Sequence, residues 1–116
     1  MYTVQQLIDS GLFALLNKGD ETEREITVPF CCDLLSVAMG RAPAGCAGVT
    51  VMGNMNTLAV ASLTDAACVI MAEGCTLDET ASAKARVQGI TVLKTDLPIF
   101  EAALAVHEKL SGGGLC

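Results

Sequence analysis

The chain has 116 residues, a hydrophobic content of 52%, a mean hydropathy of +0.51 and a net charge of −6. That length fits one domain, and the acidity speaks against nucleic-acid binding and against docking on an anionic membrane, both of which need clustered Lys and Arg. A domain this small cannot hide so much apolar side chain by itself, so the composition predicts a homodimer.

In chain order, Thr3 caps a short helix whose apolar positions Val4, Leu7 and Ile8 share one face, and Ser10-Gly11 stops it. Leu12 to Leu16 is too short for a helix between Gly11 and Asn17 and reads as a strand, followed by the turn Asn17-Lys18-Gly19-Asp20. Glu21 to Glu25 is a charged, exposed approach to a strand over Ile26-Thr27-Val28, which Pro29 ends or marks as an edge. Cys32 to Met39 has apolar positions 34, 35, 38 and 39, the spacing of a helix, with Gly40 as its stop. Arg41 to Gly45 is a loop.

The stretch from Ala47 to Gly74 organises the rest. Val49 to Val51 is a β-branched run, as a buried strand should be. Met52-Gly53-Asn54-Met55-Asn56 breaks it, with Asn54 or Asn56 as helix cap. Thr57 to Leu63 is apolar on nearly every side and predicts a buried helix, ended by Thr64-Asp65. Cys68 to Met71 is a second unbroken apolar run. Neither strand alternates with polar residues, which is the mark of parallel strands covered on both faces. The loop at residues 52–56 then lies at the carboxyl edge of a parallel sheet, where ligands of open α/β sheets bind.

Thr76 caps the next helix, with Asp78 and Glu79 in its first turn and Leu77, Ala81 and Ala85 on its apolar face; Gln88-Gly89 ends it. Ile90 to Leu93 is a strand. Thr95-Asp96 caps the last helix, with Pro98 in the first turn and Phe100, Ala103 and Leu104 toward the core. Residues 1–110 make a single α/β domain, a three-layer sandwich with a mostly parallel sheet, and residues 111–116 a glycine-rich tail. Met1 is followed by no basic start and apolar block, so no secretory signal is read and a cytoplasmic location is expected. No apolar run approaches a membrane span.

The residues that could carry chemistry are few. Gly53, Asn54 and Asn56 could present main-chain N–H groups and amides to an anion or nucleotide; they equally make a plain strand-to-helix turn. Thr95 and Asp96 fall on the same edge, as ligand groups or as a cap pair. Glu73 follows a buried strand there and could orient a ligand or simply be solvated. Arg24 could pair with Asp33. His107, the one histidine, sits on a helix face and reads as structural. Six cysteines at scattered positions, two of them adjacent, read as reduced thiols rather than disulfides or metal ligands, and no metal or other cofactor is expected. No nucleophile–base pair can be assembled, so the chain is not read as an enzyme.

Glu23-Arg24-Glu25-Ile26-Thr27, the run from Asp33 to Gly40, Met52-Gly53-Asn54-Met55-Asn56 with Ala59 to Asp65, and Ala72-Glu73-Gly74 together resemble the DRTGG domain family over roughly Val4 to Leu110. Gly89-Ile90 and Leu93-Lys94-Thr95 fit its later part. Glu23-Arg24 stands for the acid and arginine of the name-giving motif and Thr27 for its threonine, while Val28-Pro29 stands where the family has glycine. The resemblance implies a fold similar to the amino-terminal domain of HPr kinase/phosphorylase. It also implies a bacterial, regulatory or dimer-forming domain, built into larger proteins or standing alone, with chemistry carried by other domains. It supplies no catalytic residue. The expected partners are a second copy, a nucleotide or phosphorylated metabolite at the carboxyl edge, or another protein. A pure interaction module that binds no small molecule is the alternative, and a small enzyme or phosphate-transfer accessory a third.

Overall fold

The computed structural model describes residues 2–31 and 39–111. Within them the order is α1 (Val4–Asp9), β1 (Ala14–Asn17), β2 (Pro29–Cys31), β3 (Ala47–Thr50), α2 (Met55–Leu63), β4 (Cys68–Met71), α3 (Glu79–Gln88), β5 (Val92–Lys94) and α4 (Ile99–Leu110). The five strands form one mixed sheet in the order β1-β5-β4-β3-β2. β2 to β5 run parallel and β1 pairs antiparallel with β5. Helices cover both faces, giving the three-layer α/β sandwich.

Period-two alternation divides the core between those faces. On one side Val49, Cys68, Ile70 and Leu93 meet α1 through Val4 and Leu7, and α4 through Ala102, Ala103 and Val106. On the other, Val69, Met71 and Val92 meet α2 through Leu58 and Ala61, and α3 through Ala81 and Ala85. The central strand β4 is buried at all four positions, which is why its sequence shows no polar alternation. No helix among the described residues is long and apolar enough to cross a membrane.

Several boundaries differ from the sequence expectation. Ile26 to Val28 is extended but unladdered: the Ile26 N–H donates to the Tyr2 carbonyl at 2.8 Å and the Thr27 N–H to Gly45 at 2.9 Å. The ladder begins only at Pro29, so the proline opens an edge strand instead of closing one, a position where its missing N–H costs nothing. The helix expected over residues 32–39 lies outside the described residues apart from its end, and helical geometry runs through 39–41, past Gly40. Asp78, not Thr76, caps α3: its carboxylate accepts the Ala81 N–H at 2.8 Å. Pro98 is the cap residue of α4, with no side-chain cap bond, so Thr95 and Asp96 are not its cap.

Two packing expectations are also corrected. α2 is apolar all round but buries only the side that carries Thr57, Leu58 and Ala61, leaving Leu63 71% exposed. On α4, Phe100 (68% exposed) and Leu104 (40%) face outward, and of the expected trio only Ala103 faces the core. Alanines at 102 and 103 let the α4 axis lie close to the sheet, and that approach selects the small-residue stripe over the bulky one.

Candidate functional site

The carboxyl ends of β3, β4 and β5 lie side by side, and the loops that leave them are locked to one another. After β3, the Met52 N–H donates to Thr50 Oγ1 at 3.0 Å, and the Thr57 hydroxyl bonds to the Met52 carbonyl. Asn54 caps α2, its Oδ1 accepting from the N–H groups of Asn56 (3.0 Å) and Thr57 (3.3 Å). Gly53 lies against the Thr76 carbonyl with no room for a Cβ, and its own carbonyl accepts the Asp78 N–H at 2.9 Å. Glycine is required here by close backbone approach.

The second seam joins the loops after β4 and β5. The Glu73 N–H donates to Leu97 at 2.8 Å and the Gly74 N–H to Thr95 at 2.9 Å. Glu73 holds a left-handed backbone (φ 58°), a conformation a glutamate adopts at some cost. Thr95 Oγ1 accepts from the Leu97 N–H at 3.2 Å, and the Asp96 carboxylate approaches Gly74.

Gly53, Asn54, Asn56, Glu73, Thr95 and Asp96 are therefore brought to one edge of the sheet, but most already serve the fold. Gly53 is a packing residue, Asn54 a cap and Thr95 a turn former. The side chains of Asn56, Glu73 and Asp96 remain exposed. The N–H groups of Gly53, Asn54 and Met55 have no hydrogen-bond partner among the described residues. Charge opposes an anion here: Glu73, Asp78, Glu79 and Asp96 surround the edge, with Lys94 the nearby cation.

The opposite, amino-terminal edge holds a feature that sequence reasoning missed. The chain after β1 runs along it as a strap, with the Asp20 N–H on the Gly89 carbonyl at 3.1 Å and the Gly19 N–H on Thr91 Oγ1 at 2.9 Å. Arg24 then forms a forked pair with Asp65, Nη1 to Oδ1 at 2.7 Å and Nη2 to Oδ2 at 2.9 Å, while Nη2 also donates to the Asp65 carbonyl at 2.7 Å. Asp65, at φ 61°, is the partner of Arg24; the expected partner Asp33 lies outside the described residues. The guanidinium hydrogen bonds hold the Asp65 carboxyl below its usual range and raise Arg24 in return. Beside the pair lies a polar cleft of about 270 Å³, lined in part by Asp20, Glu21, Ser62 and Gln88. Arg24 stands within the charged run 21–25, so the run is visible in sequence; a partner 41 residues away is not.

Among the described residues, Cys46, Cys68 and Cys75 are in no disulfide. Burial pushes the Cys46 thiol up and the Cys68 thiol up to about 12, so neither is a nucleophile at neutral pH. Among the described residues no group of three His, Cys, Asp or Glu side chains could hold a metal ion. Comparison of the chain with models of known protein families and with curated proteins finds no match.

Proposed function

We propose that this chain is a non-enzymatic, cytoplasmic interaction module, a homodimer-forming regulatory domain of the kind the DRTGG resemblance implies. The observation that carries the reading is the set of large apolar side chains left outside a domain whose sheet is already covered on both faces. Leu15 and Leu16 stand exposed on β1, Val87 on α3, and Phe100 and Leu104 on α4. Exposed apolar surface on a small acidic domain has its natural use in association. The measurement is the mass of the reduced protein by light scattering at micromolar concentration. A dimer mass is expected, and a monomer at every concentration sinks the reading.

A second reading is favoured by the N–H groups of Gly53, Asn54 and Met55, which have no hydrogen-bond partner among the described residues: a small anionic ligand, a nucleotide or phosphorylated metabolite, held at the carboxyl edge. The acids around that edge weaken it. Thermal shift against ATP, AMP and acetyl phosphate tests it, because a ligand bound only by the folded state raises the melting temperature. Asn56→Ala is the informative variant, since the Asn56 side chain is exposed and makes no hydrogen bond among the described residues.

A further inference from the structure

We propose that the outer face of α4 is a docking stripe for a basic amphipathic helix of another protein. This deepens the interaction reading above: it names the partner for α4 and leaves Leu15, Leu16 and Val87 to the second copy. α4 gives Ala102, Ala103 and Val106 to the core, and that choice turns Phe100 (68% exposed) and Leu104 (40%) outward. The two are four residues apart, so they stand one above the other on a single helix face. Leu97, also exposed, lies in the turn just before the helix, at the head of the stripe.

Charge decides the occupant. Leu104 has Glu101 three residues before it and Glu108 four residues after it, both exposed and both on its own face of the helix. At the head of the stripe stand two more exposed acids, Asp96 beside Leu97 and Glu73, whose N–H donates to the Leu97 carbonyl at 2.8 Å. Against these acids stand Lys94 and Lys109, both half-buried, and the single His107. A narrow apolar line edged with carboxylates complements a helix that carries large aliphatic side chains on one face and Lys or Arg beside them.

The same charges argue against a second copy on this face. Two α4 helices crossing antiparallel at Leu104 would set the Glu101 of each copy against the Glu108 of the other, and a parallel crossing would set each acid against itself. Like charges brought together in this way oppose association.

The test is fluorescence anisotropy with two labelled peptides of about 18 residues, long enough to hold a helix. Both carry Leu at the same helical positions; the other positions are Lys in one peptide and Glu in the second. The Lys peptide is expected to bind the wild type roughly tenfold or more tightly than the Glu peptide. Phe100→Ala and Leu104→Ala, each checked for native circular dichroism, leave the net charge unchanged and are expected to weaken the Lys peptide by roughly tenfold. Leu63→Ala and Val87→Ala, which trim exposed apolar side chains elsewhere, leave it unchanged. If Phe100→Ala and Leu104→Ala bind as the wild type does, attraction between Lys and an acidic chain is all there is, and the assignment fails. Equal affinity for the two peptides overturns the chemistry of the partner. A dimer that Phe100→Ala converts to monomers makes a second copy the occupant and overturns the proposal. A dimeric wild type that ignores the Lys peptide sinks the α4 stripe alone, and a monomeric one that binds it through Phe100 sinks the homodimer alone.

Discussion

Asn54 accepts two main-chain hydrogen bonds at the head of α2, and this decides how its substitutions read. Asn54→Ala removes the cap and is expected to cost about 1 kcal/mol in a urea titration, whereas Asn54→Asp, which keeps the acceptor oxygen, is expected to cost only a few tenths. Equal losses in both would mean that the amide nitrogen, not the cap, matters. Cys68 sets a pH dependence. Burial raises its thiol from an ordinary 9.0 to about 12. A group whose pKa is higher folded than unfolded adds stability that is fully present below the unfolded value and fades as pH rises through the folded one. Stability is thus expected to fall between about pH 9 and 12, and more gently in Cys68→Ala, because the unfolded chain no longer gains by ionising that thiol. Parallel pH curves for the two proteins would remove Cys68 as the cause.

At the scale of elements, α4 carries two apolar stripes. Ile99, Ala102, Ala103, Val106 and Leu110 pack against the core, while Phe100 and Leu104 stand outside it. Val106→Ala is therefore expected to cost about 2 kcal/mol, and Phe100→Ala to change stability by no more than about 0.5 kcal/mol, as a surface substitution does. The reverse order would mean the helix is rotated. The same stripes show why sequence placed the helix correctly and its inner face wrongly. Periodicity marks positions 100, 103 and 104 as readily as 99, 102, 103 and 106, and only the close approach of helix to sheet, which alanines permit, chooses between them. The unit β3-α2-β4 was legible because its β-branched strands, its Gly-Asn loop and its cap agree with one another. The six candidate residues were legible as an edge because they follow strand ends. Their engagement was not, since bonds such as Glu73 to Leu97 join loops more than 20 residues apart and depend on which strands are neighbours. For the same reason the Arg24–Asp65 fork could not be read from local pattern.

For the whole molecule, the sheet both divides and joins the core. Leu58 belongs to the α2–α3 side, and Tyr2, the one tyrosine in a chain without tryptophan, packs on the α1–α4 side. β4 contributes Cys68 and Ile70 to one side and Val69 and Met71 to the other, so neither half can lose its packing without disturbing the strand that anchors the second. A domain of this size with one shared sheet is expected to unfold as a unit. Leu58→Ala leaves a cavity and is expected to cost about 2–5 kcal/mol. Tyr2 packs against the core on the other face of the sheet. Its fluorescence transition should nevertheless move to the same lower urea midpoint as the circular dichroism, with both signals recorded at one protein concentration, because association adds its own stability. If the dichroism midpoint falls while the Tyr2 midpoint holds, the two faces unfold separately. The sheet would then be a partition between two cores.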